Sequence, residues 1–347
     1  MSEAGQWTVG IVSDDPLQRR RLQDAAARFG LAPGFCGEPE RLFALSPVPA
    51  VDLWLVVMEN EDADATLMDF LLERSEAPML FGLDPAPKPG QSQYVSWERR
   101  LLGKLEQSLG PLEQLDNENS LEQLDQTAPA HIQDLPHWIT PAAPGTPAEY
   151  IWILGASLGG PAAVKAFLDC LPAGLPVAFV YAQHIDGNFT EVLTRVLGRH
   201  AHYQLKRAEA GTTLKTGEVV LLPVEQEWTL DDQGELVEKA NPWPGPYGPS
   251  IDQVLLNVGD HYGDRCNAIL FSGMGNDGAV AAPLLKAYGS QIWAQDSASC
   301  GNSSMPDSVV ATGCVSFVGN PEQLARQLVK TLEETCLLKR KHQRDSA

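Results

Sequence analysis

The chain has 347 residues, with 45 Asp and Glu against 25 Lys and Arg and a net charge of −20. That length allows two domains but not several, and a hydrophobic fraction of 44% is enough to fill real cores. The acidic balance excludes a generally nucleic-acid-seeking surface, because phosphate binding needs clustered Lys and Arg. No apolar stretch reaches the roughly 18–20 residues that cross a bilayer, so no membrane insertion is expected. Nothing near the start resembles a signal peptide: the apolar run from Trp7 to Val12 stops at Ser13-Asp14-Asp15. Six cysteines, at 36, 170, 266, 300, 314 and 336, form no CxxC pair. Reduced thiols in a cytoplasmic protein are the expectation.

The first hundred residues alternate in type. Thr8–Val12 reads as a buried strand and Leu17–Gly30 as a helix ended by glycine. Val51–Met58 is a second apolar strand, Ala65–Arg74 a second helix and Met79–Leu83 a third short strand. Strand–helix alternation predicts a parallel sheet with helices on its faces. The first strand delivers Asp14-Asp15 at its C-terminal end, where open α/β sheets place their ligands.

This layout over residues 1–104 resembles a response-regulator receiver, a flavodoxin-like α/β domain that holds Mg²⁺ on such an acidic pair beside a phosphorylated aspartate. By that pattern the acceptor would end the second apolar strand, five residues after Asp52, where this chain has Val57. A valine cannot take a phosphoryl group. The expectation is a degenerate receiver without aspartyl phosphorylation, with Glu59 as a substitute acceptor and an unrelated α/β domain as the competing readings.

Residues 105–150 hold eight acidic side chains and no Lys or Arg. A Leu-Glu-Gln word recurs at 105–107, 112–114 and 121–123, followed by Pro129, Pro136, Pro141, Pro144 and Pro147. One-signed charge, low hydrophobicity and prolines predict an acidic linker over 105–148, a solvated tether in preference to a docking helix.

From Tyr150 the pattern sharpens. Tyr150–Leu154 is a continuous apolar strand, followed by Gly155-Ala-Ser157-Leu-Gly159-Gly160-Pro161 and an apolar-periodic segment, Ala162–Leu171. A helix N-terminus here points free amides at whatever Ser157 holds. Residues 155–159 match Gly-x-Ser-x-Gly, a nucleophile elbow. A dinucleotide fingerprint would need glycine at 157, and a purely structural glycine turn stays open at this point.

The next strand, Val177–Ala182, is apolar throughout and ends in Gln183-His184. A serine is a poor nucleophile at neutral pH and needs a base within reach, a role that histidine fits. A third strand, Cys266–Phe271, leads into Ser272-Gly273-Met274-Gly275-Asn276-Asp277-Gly278 and an apolar helix from Ala279 to Tyr288. Alone, Asp277 reads as the N-cap of that helix. Together, Ser157, His184 and Asp277 each follow an apolar strand on one rim of one sheet. A carboxylate behind an imidazole fixes its tautomer, and a glycine-rich turn frees amides for an oxyanion. The sheet is expected to be a three-layer α/β/α, doubly wound and mostly parallel.

Five motifs in order carry a family resemblance: residues 155–160, Gln-His-Ile-Asp-Gly-Asn-Phe at 183–189, Pro249-Ser-Ile-Asp252, residues 273–278, and Ala294-Gln-Asp-Ser-Ala-Ser-Cys300. They resemble the CheB chemotaxis methylesterases. The resemblance implies a protein-glutamate methylesterase domain over 149–335, able also to deamidate glutamines. It implies Ser157 as nucleophile, His184 as general base, Asp277 as orienting carboxylate and the Met274 amide in the oxyanion hole. It implies no cofactor and no metal; His200 and His202 read as a solvated loop pair. The implied partners are the cytoplasmic domain of a methyl-accepting chemoreceptor and, through the N-terminal domain, a chemosensory kinase or scaffold. The order Ser, His, Asp differs from the Ser, Asp/Glu, His of α/β-hydrolases. Leu158 stands where the family often has threonine. A silenced receiver is similar to the Chp-type branch of pilus-linked systems.

Two other functions stay open on sequence: a weakly active regulatory or scaffold protein of the same pathway, and a general small-ester hydrolase. Residues 336–347, with Lys339-Arg-Lys-His-Gln-Arg344, are expected to form a frayed basic tail.

Overall fold

The structure, a computed structural model, describes residues 7–58, 61–88, 92–110, 124, 132–185, 187, 190–199, 201–245 and 247–345. The chain divides into two compact units, Met1–Glu113 and Gln114–Ala347. Glu59, His200, the second and third Leu-Glu-Gln words, Pro129, and Asp186, Asn188 and Phe189 of the histidine motif lie outside the described residues.

The first unit holds four parallel strands, β1 (Thr8–Val12), β2 (Ala32–Gly37), β3 (Leu53–Val56) and β4 (Met79–Leu80). Their order, β2-β1-β3-β4, is that of the first four strands of a flavodoxin-like sheet. Pro16 opens the helix Pro16–Arg28, and the Asp15 carboxylate caps it by accepting from the Leu17 amide at 2.8 Å. Val57 follows β3, buried, with its amide bonded to the Val12 carbonyl at 3.0 Å.

Three elements of this unit differ from the sequence expectation. Residues 32–43 supply β2 and a short helix, Pro39–Phe43. An Ala-Pro-Gly start gives β2 no apolar run, and a proline fits because the strand is at the sheet edge. A helix also spans Ser92–Leu109 and so crosses residue 105, where the linker was expected to begin. Its Tyr94, Trp97, Leu101 and Leu105 recur at helical spacing and are buried.

The second unit is built on seven parallel strands: β5 (Tyr150–Ala156), β6 (Val177–Gln183), β7 (Gln204–Arg207), β8 (Glu218–Leu221), then β11 (Cys266–Leu270), β12 (Ile292–Gln295) and β13 (Phe317–Gly319). Between β8 and β11 the chain forms a separate antiparallel hairpin, β9 (Trp228–Leu230) and β10 (Leu236–Glu238). The seven-strand order is β13-β12-β11-β5-β6-β8-β7. The chain winds outward from β5 in one direction and returns to its other side at β11. That reversal creates a crevice at the carboxyl ends of β5 and β11.

Side chains of β5 and β6 alternate between two cores, which is why both strands are apolar without interruption. Trp152, Leu154, Phe179 and Tyr181 face one core with the helices Gly160–Asp169 and Pro321–Asp345. Ile151, Ile153, Ala178 and Val180 face the other with the helix Ile251–Tyr262. The expected three-layer α/β/α architecture is the one observed.

The segment expected to be a solvated tether packs on this unit from residue 132 onward. Gln133 donates to the Cys170 carbonyl at 2.8 Å, Ala142 to Gly174 at 3.0 Å and Ala148 to Leu214 at 3.1 Å. Ile139 is buried in the core, and Leu124 and Leu135 pack against it. Few apolar residues suffice when each reaches a site on an existing core, which segment-averaged composition does not register. The tail differs too: the helix Pro321–Asp345 continues through it, Cys336 packs on the core, and Lys339 pairs with Glu149.

Candidate active site

Ser157 follows β5 at the crevice and is 8% exposed. Its amide donates to the Ser272 carbonyl at 3.0 Å, and its carbonyl accepts from the Gly160 amide at 2.8 Å and the Gln183 side chain at 2.9 Å. Gly159 then turns the chain into the helix Gly160–Asp169 with a φ of 76°. A side chain there would be strained and would meet Ser272 Oγ at 2.8 Å, so glycine is required.

His184 follows β6. The pairing of Ala156 with Gln183, and the bond from the His184 amide to the Ala156 carbonyl at 3.0 Å, make Ser157 and His184 neighbours beyond adjacent strands. Gln183 ties the two together from beneath, donating also to the His184 carbonyl at 3.0 Å. The imidazole Nε2 lies 3.0 Å from Asp277 Oδ2. Its Nδ1 is buried with no hydrogen-bond partner among the described residues. The Ser157 hydroxyl makes no hydrogen bond to the ring among the described residues, a separation that catalytic pairs often show before substrate binds.

Asp277, 3% exposed, is also the acceptor for three amides: Ile251 at 2.7 Å, Asp252 at 2.8 Å and Gly278 at 3.0 Å. Burial raises its pKa, but the bond and charge of His184 and the Asp252 and Ile251 amides outweigh it. The carboxyl is held below the ordinary carboxylate range. An ionised Asp277 surrounded by donors accepts a hydrogen bond from Nε2–H, a tautomer that leaves the lone pair on Nδ1.

Asp277 does not cap the helix that follows it, contrary to the expectation from its position alone. Residues after it form turns, and the helix begins only at Ala282. Asp277 instead supplements Ser250 at the start of the helix Ile251–Tyr262, a partner 26 residues upstream that local sequence cannot indicate.

Met274 lies in the turn after β11. The neighbouring amides are engaged, Gly273 with the Asn302 carbonyl at 2.8 Å and Gly275 with Ser304 Oγ at 3.0 Å. The Met274 amide makes no hydrogen bond among the described residues, which leaves a donor free for an anion.

Sequence reasoning missed the polar residues beneath the site. Gln183 and Gln295 are fully buried at the ends of apolar strands, and Gln295 accepts from the Ser272 amide at 2.8 Å. A glutamine closing an apolar strand was the available signal. Among the described residues no group of three His, Cys, Asp or Glu converges to hold a metal ion.

Residues 152–328 match the family model described as CheB methylesterase. A curated relative from Burkholderia thailandensis, a "Protein-glutamate methylesterase/protein-glutamine glutaminase", is 30% identical over 279 residues, 80% of this chain and 76% of that protein. The chain belongs to the CheB methylesterase family. A relative of the same description from Pseudomonas aeruginosa is 34% identical over 55% of this chain and 52% of its own length. One from Saccharophagus degradans is 35% identical over 51% of this chain and 48% of its own. The chain thus spans about half the length of these last two relatives. The solved CheB methylesterase catalytic domain of Thermotoga maritima superposes with a TM-score of 0.50 at 27% identity, covering 53% of this chain and 99% of that domain. Among the described residues no helix is long and apolar enough to cross a membrane.

Proposed function

We propose that this chain is a serine esterase that removes the γ-methyl ester from glutamates on chemoreceptor cytoplasmic domains. The observation that carries the reading is the buried 3.0 Å contact between His184 Nε2 and Asp277, with Nδ1 left for Ser157 on the adjacent strand end. Ser157 Oγ attacks the ester carbonyl while Nδ1 takes its proton. The carbonyl oxygen becomes an oxyanion, to which the Met274 amide donates. Collapse expels the methoxy group, which leaves as methanol with the proton from Nδ1. A water, deprotonated at Nδ1, then attacks the acyl-serine and frees the glutamate carboxylate and Ser157. Asp277 stays ionised and stabilises the imidazolium in both halves.

A glutamine side chain fits the same sequence, with ammonia in place of methanol, which accords with the glutaminase part of the relatives' names. The first unit would act as a receiver-like module without phosphoryl acceptance, because Val57 stands at the acceptor position. It would offer a surface to a chemosensory kinase or scaffold.

The test is methanol release from methyl-labelled receptor membranes by the full chain and by Ser157→Ala. Release by wild type and none above background by the variant is expected. Equal inertness of the two would sink the esterase reading in favour of a regulatory role, and turnover of soluble esters alone would favour a general esterase.

A further inference from the structure

The imidazole of His184 has one more neighbour, which no motif assigns. The ring of Tyr247 lies parallel to it, at an interplanar angle of 1° and a centroid separation of 4.5 Å. Tyr247 sits on a connection anchored on both sides. Upstream, the buried Trp243 donates its indole N–H to the Pro223 carbonyl at 2.9 Å, just beyond β8. Downstream, Ser250 caps the helix Ile251–Tyr262, whose first amides hold Asp277. One short segment therefore carries the ring over His184 and the amides that fix its carboxylate partner.

An imidazole bonded at one nitrogen still rotates about that bond and about its side-chain torsions. Asp277 fixes where Nε2 is, and Gln183 and the strand pairing fix the backbone. Neither fixes the plane of the ring, and the plane decides where the Nδ1 lone pair points. A parallel aromatic face restricts exactly that freedom.

Resting on the esterase reading, we infer that Tyr247 is a positioning residue: its ring face holds the His184 imidazole in the plane that directs Nδ1 toward Ser157. The stacked face carries this role and the phenol hydroxyl does not.

The experiment compares wild type, Tyr247→Phe, Tyr247→Ala and Tyr247→Leu in the full chain. Each is assayed for methanol release from methyl-labelled receptor membranes and for the rate of Ser157 labelling by a fluorophosphonate, which needs no receptor. A misdirected base should lower kcat and labelling rate together by about 10–100-fold in the Ala and Leu variants, with KM changed little. Phe should stay within about twofold of wild type, as expected when the stack is kept. Leu preserves apolar volume, so a drop there with an unchanged thermal midpoint separates ring positioning from folding. Wild-type rates in Ala and Leu, a loss confined to KM, or a Phe variant as impaired as Ala would each overturn the inference. A wild type that releases no methanol and is not labelled would overturn the esterase reading, and this inference with it.

Discussion

Asp277 and Asp252 cap each other's chain segments. The Asp277 carboxylate accepts from the Ile251 and Asp252 amides at 2.7 and 2.8 Å, while Asp252 Oδ1 accepts from the Val280 and Ala281 amides at 3.0 and 2.7 Å. The exchange locks the start of one helix to the turn that carries the orienting carboxylate. It also places two carboxylates side by side, and their environments separate them. Asp277 faces His184 and stays ionised. For Asp252, burial comes first and the Asp277 charge adds to it, against the Ala281 amide, and the carboxyl is pushed up to about 6.

That shift has a definite sign in stability. A carboxyl raised in the folded state contributes stability that is fully present below its ordinary value and lost as pH rises through about 6. Asp252→Asn removes this titration, so the variant should gain on wild type in thermal midpoint between about pH 4 and pH 7. Asp277 runs the other way, contributing above the ordinary value and losing it as pH falls, in both proteins alike. Thermal melts across that window check the claim, and parallel pH profiles would count against the clamp.

Asp277→Asn should cost about 10³–10⁴-fold in kcat, because an amide no longer selects the tautomer with its lone pair on Nδ1. Fluorophosphonate labelling of Ser157 should slow in step, while Ser157→Ala is not labelled at all. A variant within tenfold of wild type would remove Asp277 from the proposed roles.

On the same helix that follows Ser157, Lys165 and Asp169 form a buried pair at 2.6 Å, 3% and 9% exposed. Lys165→Met leaves a buried carboxylate without its partner and should destabilise the protein by about 3–5 kcal/mol. Replacing both, Lys165→Met with Asp169→Leu, should recover most of that loss. Denaturant unfolding of the single and double variants reads the difference.

Val57 makes the last prediction. It is buried after β3 and has no oxygen to accept a phosphoryl group. Incubation with a small phosphodonor should leave the first unit unlabelled and the esterase rate unchanged. Stoichiometric labelling of that unit, detected by intact mass, would place an acceptor elsewhere in it.

The elements most legible in the sequence were those whose signal is contiguous. Tyr150–Ala156 and Val177–Gln183 read as apolar runs because both faces are buried. Glycine punctuation marked the turn after Ser157. The edge strand Ala32–Gly37 had no such run, and the helix Ser92–Leu109 was obscured by the acidic composition that begins within it. Residues 132–148 depart from the tether expectation for a similar reason. Their average is polar and proline-rich, yet Ile139 and a series of single backbone bonds dock them on the second unit.

By itself the sequence determined that Ser157, His184 and Asp277 each follow an apolar strand, which is a local matter of hydrophobic runs and turn residues. It also divided the net charge of −20 between a first domain, an uncompensated acidic stretch and a second domain. Only the tertiary structure decided that Asp277 caps a helix starting at Ile251, that Asp252 answers it, and that Tyr247 lies over His184. Those pairings join residues 26 to 63 positions apart. They depend on which strand lies beside which, and that order is set by packing two cores against one sheet.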